Sequence, residues 1–224
     1  IDRADKIGEG SESNNKNFNT IAVSSAPDAV KNLVASASTT ASINLAWNAT
    51  GDDGFTGILN NSTFTIQYTA DAAWAQGNSW DYNSAGEGVY TLYMATTGVT
   101  AGSERFYTQT GLSINTTYYF RLWTLDDFGR YSQLSNGATV CTLAAQPAAP
   151  SQPFAGVYFS SVSVLWDANG NPDYTYYRLQ ASTASNFTGT LYGAYVGPNG
   201  WLIGTSTDAV SLLGCTTFYF QVQA

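Results

Sequence analysis

The chain has 224 residues, with 8 Lys and Arg against 16 Asp and Glu, so its formal net charge is -8 at pH 7. It contains no His, which excludes Ser-His-Asp and Cys-His nucleophile systems and histidine-ligated zinc sites. The few basic residues are scattered, which makes nucleic acid and anionic membranes poor partners. No apolar run approaches the roughly 20 residues of a spanning helix. The composition, acidic and rich in Ser, Thr, Asn and Tyr, is typical of a secreted or surface-displayed β-protein.

Five segments alternate apolar and polar residues with the period of two that indicates a β-strand. In chain order their apolar faces are Ile43, Leu45 and Trp47; Phe64, Ile66 and Tyr68; Tyr118, Phe120 and Leu122; Val162, Val164 and Trp166; and Phe218, Phe220 and Val222. Turn clusters rich in Gly, Asn and Asp separate these segments, and no window holds a sustained helical period. The sequence therefore predicts an all-β sandwich architecture.

An internal repeat divides the chain. Residues 112–122 return as residues 212–222 at an offset of 100, and residues 42–47 return as residues 161–166. A Pro-rich stretch separates the two copies near Gln146. We therefore predict an N-terminal extension over residues 1–26, a first unit over residues 27–146 and a second unit over residues 147–224.

These features resemble tandem fibronectin type III domains, a family of immunoglobulin-like sandwiches. The prolines before the first strand, Trp47 and Trp166 at the end of strand B, and Tyr118 at the corner before strand F carry the resemblance. It implies that the Tyr118 hydroxyl bonds to the backbone, whereas Phe218 at the equivalent position of the second unit cannot. We expect a protein without catalytic residues or a cofactor.

The first unit is longer than the second. Trp47 and Tyr118 are 71 positions apart and Trp166 and Phe218 are 52 apart, which predicts 19 extra residues, placed at residues 79–102 as an extra hairpin through residues 89–93. Five aromatic side chains lie in or near this insertion: Trp74, Trp80, Tyr82, Tyr90 and Tyr93. They would form either a platform for surface glycans or, as we favour, a packed or subunit-contacting cluster.

The ends of the chain differ from an ordinary tandem pair. Only six residues follow Phe218, too few for the last strand, G, of the second unit, while residues 20–26 read like residues 139–145 of strand G in the first unit. The sequence therefore predicts an unpaired donor strand and an acceptor groove that lacks one. The donor residues are Phe18, Thr20, Ile21, Ala22 and Val23, and the acceptor residues are Phe218, Tyr219, Phe220, Val222, Tyr177 and Leu179.

This pattern favours head-to-tail polymerisation into an extracellular filament, because heterologous contacts do not close unless they form a ring. The arrangement resembles donor-strand complementation in bacterial pili and fibrils at the level of assembly, so we expect a bacterial cell-surface or secreted homopolymer. The alternative is a spacer, adhesive or carbohydrate-binding module cut from a longer secreted multi-domain protein.

Other candidate sites are weaker. Asp52 and Asp53 would offer oxygen ligands to Ca²⁺, but a Gly/Asp turn needs no metal, so we expect none. Sequons for glycosylation occur at about the frequency of chance, at Asn48, Asn60, Asn61, Asn115 and Asn186. Cys141 and Cys215 fall in different units, and we expect unpaired thiols.

Overall fold

The structure is a computed structural model that describes residues 24–77, 80–83, 87–194 and 200–224. Strands dominate it, and the described residues contain one short helix, which confirms the predicted all-β class. No helix in these ranges is long and apolar enough to cross a bilayer.

Each unit is a sandwich of antiparallel strands. In the predicted first unit, called unit 1 below, the elements are β1 (Val34–Ala37), β2 (Ser42–Asn48), β3 (Ile58–Leu59), β4 (Ser62–Thr69), α1 (Ala72–Gln76), β5 (Val89–Thr96), β6 (Val99–Thr100), β7 (Glu104–Thr110), β8 (Thr117–Leu125) and β9 (Ala138–Cys141). In the predicted second unit, called unit 2 below, they are β10 (Phe154–Val157), β11 (Val162–Leu165), β12 (Tyr176–Ser182), β13 (Leu191–Ala194), β14 (Leu202–Ile203), β15 (Ser206–Ala209) and β16 (Tyr219–Gln223).

The two sheets of unit 1 enclose its core. One sheet has the order β1-β2-β7, the other has the order β5-β4-β8-β9, and β3 pairs with β6. The inward residues of β2 and β4 meet between the sheets, where the Trp47 and Phe64 rings pack edge to face with centroids 5.4 Å apart. The alternation that predicted these strands therefore reflects one buried face per strand.

Among the described residues, unit 2 has seven strands against nine in unit 1, and none of the seven takes the position of β9. Strands β10-β11-β15 form one sheet, and β13, β14 and β16 all pair with β12 in the other. The register repeats as well, since Leu179 lies opposite Val222 as Ile66 lies opposite Leu122. The resemblance to tandem fibronectin type III domains is thus confirmed at the level of the fold.

The corner before strand F is the best preserved part of the repeat. In unit 1 the Ser113 amide donates a 2.9 Å hydrogen bond to the Tyr118 hydroxyl, as the resemblance implied. Asn115 and Cys215, at equivalent positions of the two corners, both adopt left-handed backbone with φ of 45° and 56°. Asn tolerates this region more readily than most side chains.

The extra length of unit 1 differs from the expected hairpin. Nineteen residues separate β4 from β5, and eight separate β12 from β13, so the added segment lies largely at residues 70–88. Residues 89–93 belong to β5, which pairs with β4 along its whole length and has β13 as its counterpart. The added segment covers the outer face of β4, where the side-chain amide of Gln67 donates a hydrogen bond to the Asp81 carbonyl. This cover explains why β4 is buried on both faces.

Candidate functional site

The edge of unit 2 at β16 is the main structural difference between the units. In unit 1, β9 pairs with β8 and places Val140 opposite Tyr118 and Ala138 opposite Phe120. Phe120 is 1% exposed as a result. The equivalent Phe220 is only partly buried, and β16 pairs with β12 alone among the described residues.

A groove of about 410 Å³ runs along this edge. Its walls come from the linker, β10, β11 and β16, and Phe154 and Phe220 meet across it edge to face at 5.5 Å. The corresponding place in unit 1 is occupied by β9, which lies beside β1. The groove therefore lies at the position that β9 has in unit 1.

The predicted acceptor residues have four different locations. Phe220 and Val222 line the groove. Tyr177 and Leu179 are buried in the core behind it, and Phe218 packs edge-on against Tyr192 at 5.1 Å. Tyr219 is exposed.

Sequence reasoning did not include two residues of the groove wall, Phe154 and Trp166. Trp166 was predicted as a core residue, and its position directly after β11 was the available signal. Phe154 follows a proline and had no periodic pattern to mark it.

The predicted donor residues Phe18, Thr20, Ile21, Ala22 and Val23 lie outside the described residues. The segment that follows them is anchored to unit 1. The Ser25 amide donates a 2.6 Å hydrogen bond to Oδ1 of Asp53, and the Arg130 guanidinium donates to the carbonyl and hydroxyl of Ser24. These contacts fix the start of unit 1 between its B–C loop, residues 49–61, and its F–G loop, residues 126–137. In unit 2 the A–B turn is residues 158–161 and the B–C loop is residues 166–175. The E–F corners are residues 111–116 in unit 1 and 210–218 in unit 2.

The F–G loop that holds Ser24 is built around a buried carboxylate. Asp126 accepts hydrogen bonds from the Phe128 amide at 3.0 Å and the Arg130 amide at 2.7 Å, and pairs with Arg130 Nε at 2.9 Å. Burial raises the pKa of nearby Asp52, and the carboxylates of Asp127, Asp126 and Asp53 add to that increase. The described residues contain no cluster of three or more potential metal ligands.

The junction between the units is held by the same kind of hydrogen bond as the one between Ser25 and Asp53. The backbone amide of Ala145 donates to Oδ1 of Asn171 at 2.7 Å, and the side-chain amide Nδ2 of Asn171 donates back to the Ala145 carbonyl at 2.8 Å. In both units, therefore, a side-chain oxygen of the B–C loop accepts a hydrogen bond from a backbone amide of the segment that leads into the unit. The corner of unit 1 adds contacts, with Asn115 Nδ2 donating to the Thr175 hydroxyl at 2.9 Å.

A wider cavity of about 900 Å³ lies at this junction. Neutral residues line it, including Tyr119, Tyr174, Tyr176, Trp201 and Cys141. Its wall combines aromatic rings with uncharged hydrogen-bonding groups.

The insertion aromatics pack mainly on one another and on unit 1. Trp74 and Trp80 meet edge to face at 4.7 Å, and Tyr82 stacks on Tyr131 at 3.7 Å. Tyr90 and Tyr93 are exposed. Both cysteines are unpaired and exposed. Of the sequon residues, Asn48, Asn60, Asn61 and Asn186 are exposed, while Asn115 is half-buried at the junction.

Comparison with solved structures finds similarity to fibronectin type III domains. A two-domain fibronectin type III segment from chicken tenascin is similar over 87% of this chain and 90% of its own length, with 16% identity and a TM-score of 0.43. By their strand order and register, the two units have a fibronectin type III-like fold. Three such domains of chicken CNTN1 are similar over 89% of this chain and 62% of their own, with 13% identity and a TM-score of 0.37. Both scores are low, so the fold assignment rests on strand order and register.

No protein-family model matches the chain, and a search of curated proteins gives no significant match.

Proposed function

We propose that the protein is a structural, non-enzymatic subunit of an extracellular filament, polymerised by insertion of residues 18–23 into the unit 2 groove of a neighbouring subunit. The observation that carries this proposal is the β16 edge. Phe220 and Val222 are partly exposed there, whereas their counterparts Phe120 and Leu122 in unit 1 are buried. In unit 1, β9 lies opposite Phe120, and Ser135, just before β9, hydrogen-bonds to the Leu122 backbone. An uncovered edge of this kind favours strand addition.

The β9 pairing supplies the expected register. Residues 20–23 read like residues 139–142, so Ile21 takes the place of Val140, opposite Phe218, and Val23 takes the place of buried Thr142. Burial of each apolar side chain contributes about 1.5 to 3 kcal/mol, and each strand hydrogen bond about 0.5 to 1.5 kcal/mol. Several such contacts together approach the stability of a small domain.

Because Ser24 is hydrogen-bonded to Arg130, the strand inserted into unit 2 would come from a neighbouring subunit. Residue 18 is six positions from Ser24, which allows a reach of about 20 Å in extended chain. Ser24 is held at the F–G loop, at the end of β8, whereas unit 2 contacts Asn115, before the start of β8. The nine residues of β8 span about 30 Å, so the donor residues do not reach β16 of their own chain.

The test is the double substitution Ile21→Asp with Val23→Asp in the full chain, followed by electron microscopy and sedimentation. Two carboxylates facing the groove should abolish filaments and leave folded monomers, because unpaired charges are costly to bury. The matched control is Thr20→Asp with Ala22→Asp, since the equivalent Thr139 and Cys141 of β9 are exposed. The control should polymerise.

Filaments from the Ile21→Asp, Val23→Asp variant would contradict the strand assignment. Monomers from the unmodified chain at all concentrations would favour the alternative, a spacer, adhesive or glycan-binding module in which β16 gains its partner from a longer parent chain.

A further inference from the structure

Unit 2 carries an exposed apolar surface at the end farthest from unit 1. We call this surface the tail patch; it consists of Val157, Tyr158, Phe159, Val210 and Leu213, whose exposed fractions lie between 54% and 86%. The A–B turn and the E–F corner meet there, since the Leu212 amide donates to the Ser160 carbonyl at 2.9 Å. The Phe159 ring lies over Gly214, where an added Cβ would be 3.1 Å from the ring. The two segments that carry the patch are therefore in contact.

The same positions of unit 1 are small or polar. Ala37, Thr110 and Ser113 correspond to Val157, Val210 and Leu213 in the two aligned repeats. In unit 1 this end faces unit 2 of the same chain through Asn115. The apolar character of the tail patch is therefore a property of unit 2 alone, and an apolar surface of this kind marks an interaction site.

The opposite end of the molecule also exposes aromatic rings. We call Phe55, in the B–C loop, and Phe128, in the F–G loop, the head patch; they are 50% and 71% exposed. Lys31 and Arg130 lie over these rings at 5.9 Å and 5.2 Å. The same two loops hold Ser25 and Ser24, so the segment before residue 24 leaves the described structure at the head patch.

Strand insertion would bring these two patches together. In the register proposed above, Ile21 lies opposite Phe218, at the corner that carries Leu213. Ser24 is three residues further on, about 10 Å of extended chain, so the head patch of the donating subunit arrives at the tail patch of the accepting one. We infer that the tail patch and the head patch form a second contact between consecutive subunits, an inference that rests on the proposed strand exchange.

The charge distribution fits a second copy as the occupant. The head end is acidic, with Asp52, Asp53, Asp126 and Asp127 close together. Residues 157–161 and 209–217 at the tail end contain no charged side chain, so no like-charge pair opposes the contact. The junction within the chain is a precedent, because there too an E–F corner packs on the B–C loop of the next unit.

The first experiment replaces tail-patch residues in the full chain by Phe159→Ser with Leu213→Ser, the second being the residue that unit 1 has at that position. We expect the critical concentration for filament growth to rise at least about tenfold, equivalent to about 1.4 kcal/mol. Phe106→Ser is the matched control, because Phe106 is as exposed but lies within β7. An unchanged critical concentration in the double variant would overturn the inference and leave strand exchange intact.

The second experiment does not depend on filament growth. Cys215 lies in the tail corner and is exposed, so a short bismaleimide should link it to a thiol introduced at the head patch by Phe55→Cys, in a chain that also carries Cys141→Ser. A ladder of covalent oligomers is expected, with none when Phe106→Cys replaces Phe55→Cys. If the unmodified chain forms no filaments, a ladder still supports the head-to-tail contact, whereas no ladder from Phe55→Cys overturns it.

Discussion

Single side chains decide how firmly each corner before strand F is held. The Tyr118 hydroxyl receives the Ser113 amide in unit 1, and Asn115 fills the left-handed position between them. Unit 2 has Phe218 and Cys215 at these positions, so it lacks the hydroxyl and carries a residue less suited to left-handed backbone. The corner of unit 2 is therefore held by fewer favourable local interactions than that of unit 1.

We predict opposite effects from exchanging these aromatic residues. Tyr118→Phe should lower the free energy of unfolding by about 1 to 2 kcal/mol, because the half-buried Ser113 amide loses its acceptor. Phe218→Tyr should raise it by about 0.5 to 1.5 kcal/mol, because the new hydroxyl can accept from the equivalent Leu213 amide. Urea unfolding followed by tryptophan fluorescence measures both changes. Equal destabilisation by both substitutions would show that the second corner is built differently.

The sequence made some of these residues predictable and not others. Tyr118, Trp47 and Trp166 stand in periodic strands at fixed places in the repeat, so their burial followed from spacing. The contacts of Ser25 with Asp53 and of Arg130 with Ser24 join loops 28 and 106 positions apart, and no local pattern signals them. The groove residue Phe154 was missed for the same reason.

At the scale of elements, β8 and β16 have related sequences but different surroundings. Strand β8 lies between β4 and β9, whereas β16 has β12 on one side and the groove on the other. The repeat predicted both strands. It did not predict that the added residues of unit 1 would cover β4. The outward residues of this strand are polar, as in a strand with one face in water, so the sequence alone does not reveal that the second face is buried.

Amide hydrogen exchange should distinguish the two strands. In the monomer, the β16 amides that point away from β12 should exchange quickly, since no backbone group among the described residues pairs with them, while the β8 amides should exchange slowly on both sides. In filaments, the β16 amides should become protected and the β8 amides should change little. Mass spectrometry of peptic peptides covering residues 214–224 and 116–126 provides the comparison. Slow exchange of β16 in monomers would contradict an open edge.

The whole molecule combines a negative net charge with exposed apolar side chains at both ends. Each subunit carries a net charge of -8, so consecutive subunits repel one another at low ionic strength. The contacts proposed to oppose this repulsion, the inserted strand and the joined head and tail patches, are apolar and backbone in character. Salt screens the repulsion, with a Debye length of about 8 Å at physiological ionic strength, and weakens the apolar contacts little.

We therefore predict that salt promotes assembly. Raising NaCl from about 10 to 150 mM at pH 7 should lower the critical concentration, because salt screens the repulsion between subunits and leaves the apolar contacts almost unchanged. Near the sequence pI of about 4.2, the net charge vanishes and the salt effect should disappear. Light scattering across a salt series at both pH values measures this, and the Ile21→Asp, Val23→Asp variant should stay monomeric throughout the pH 7 series. A critical concentration that rises with salt at pH 7 would mean that ion pairs, rather than the apolar ends, join the subunits.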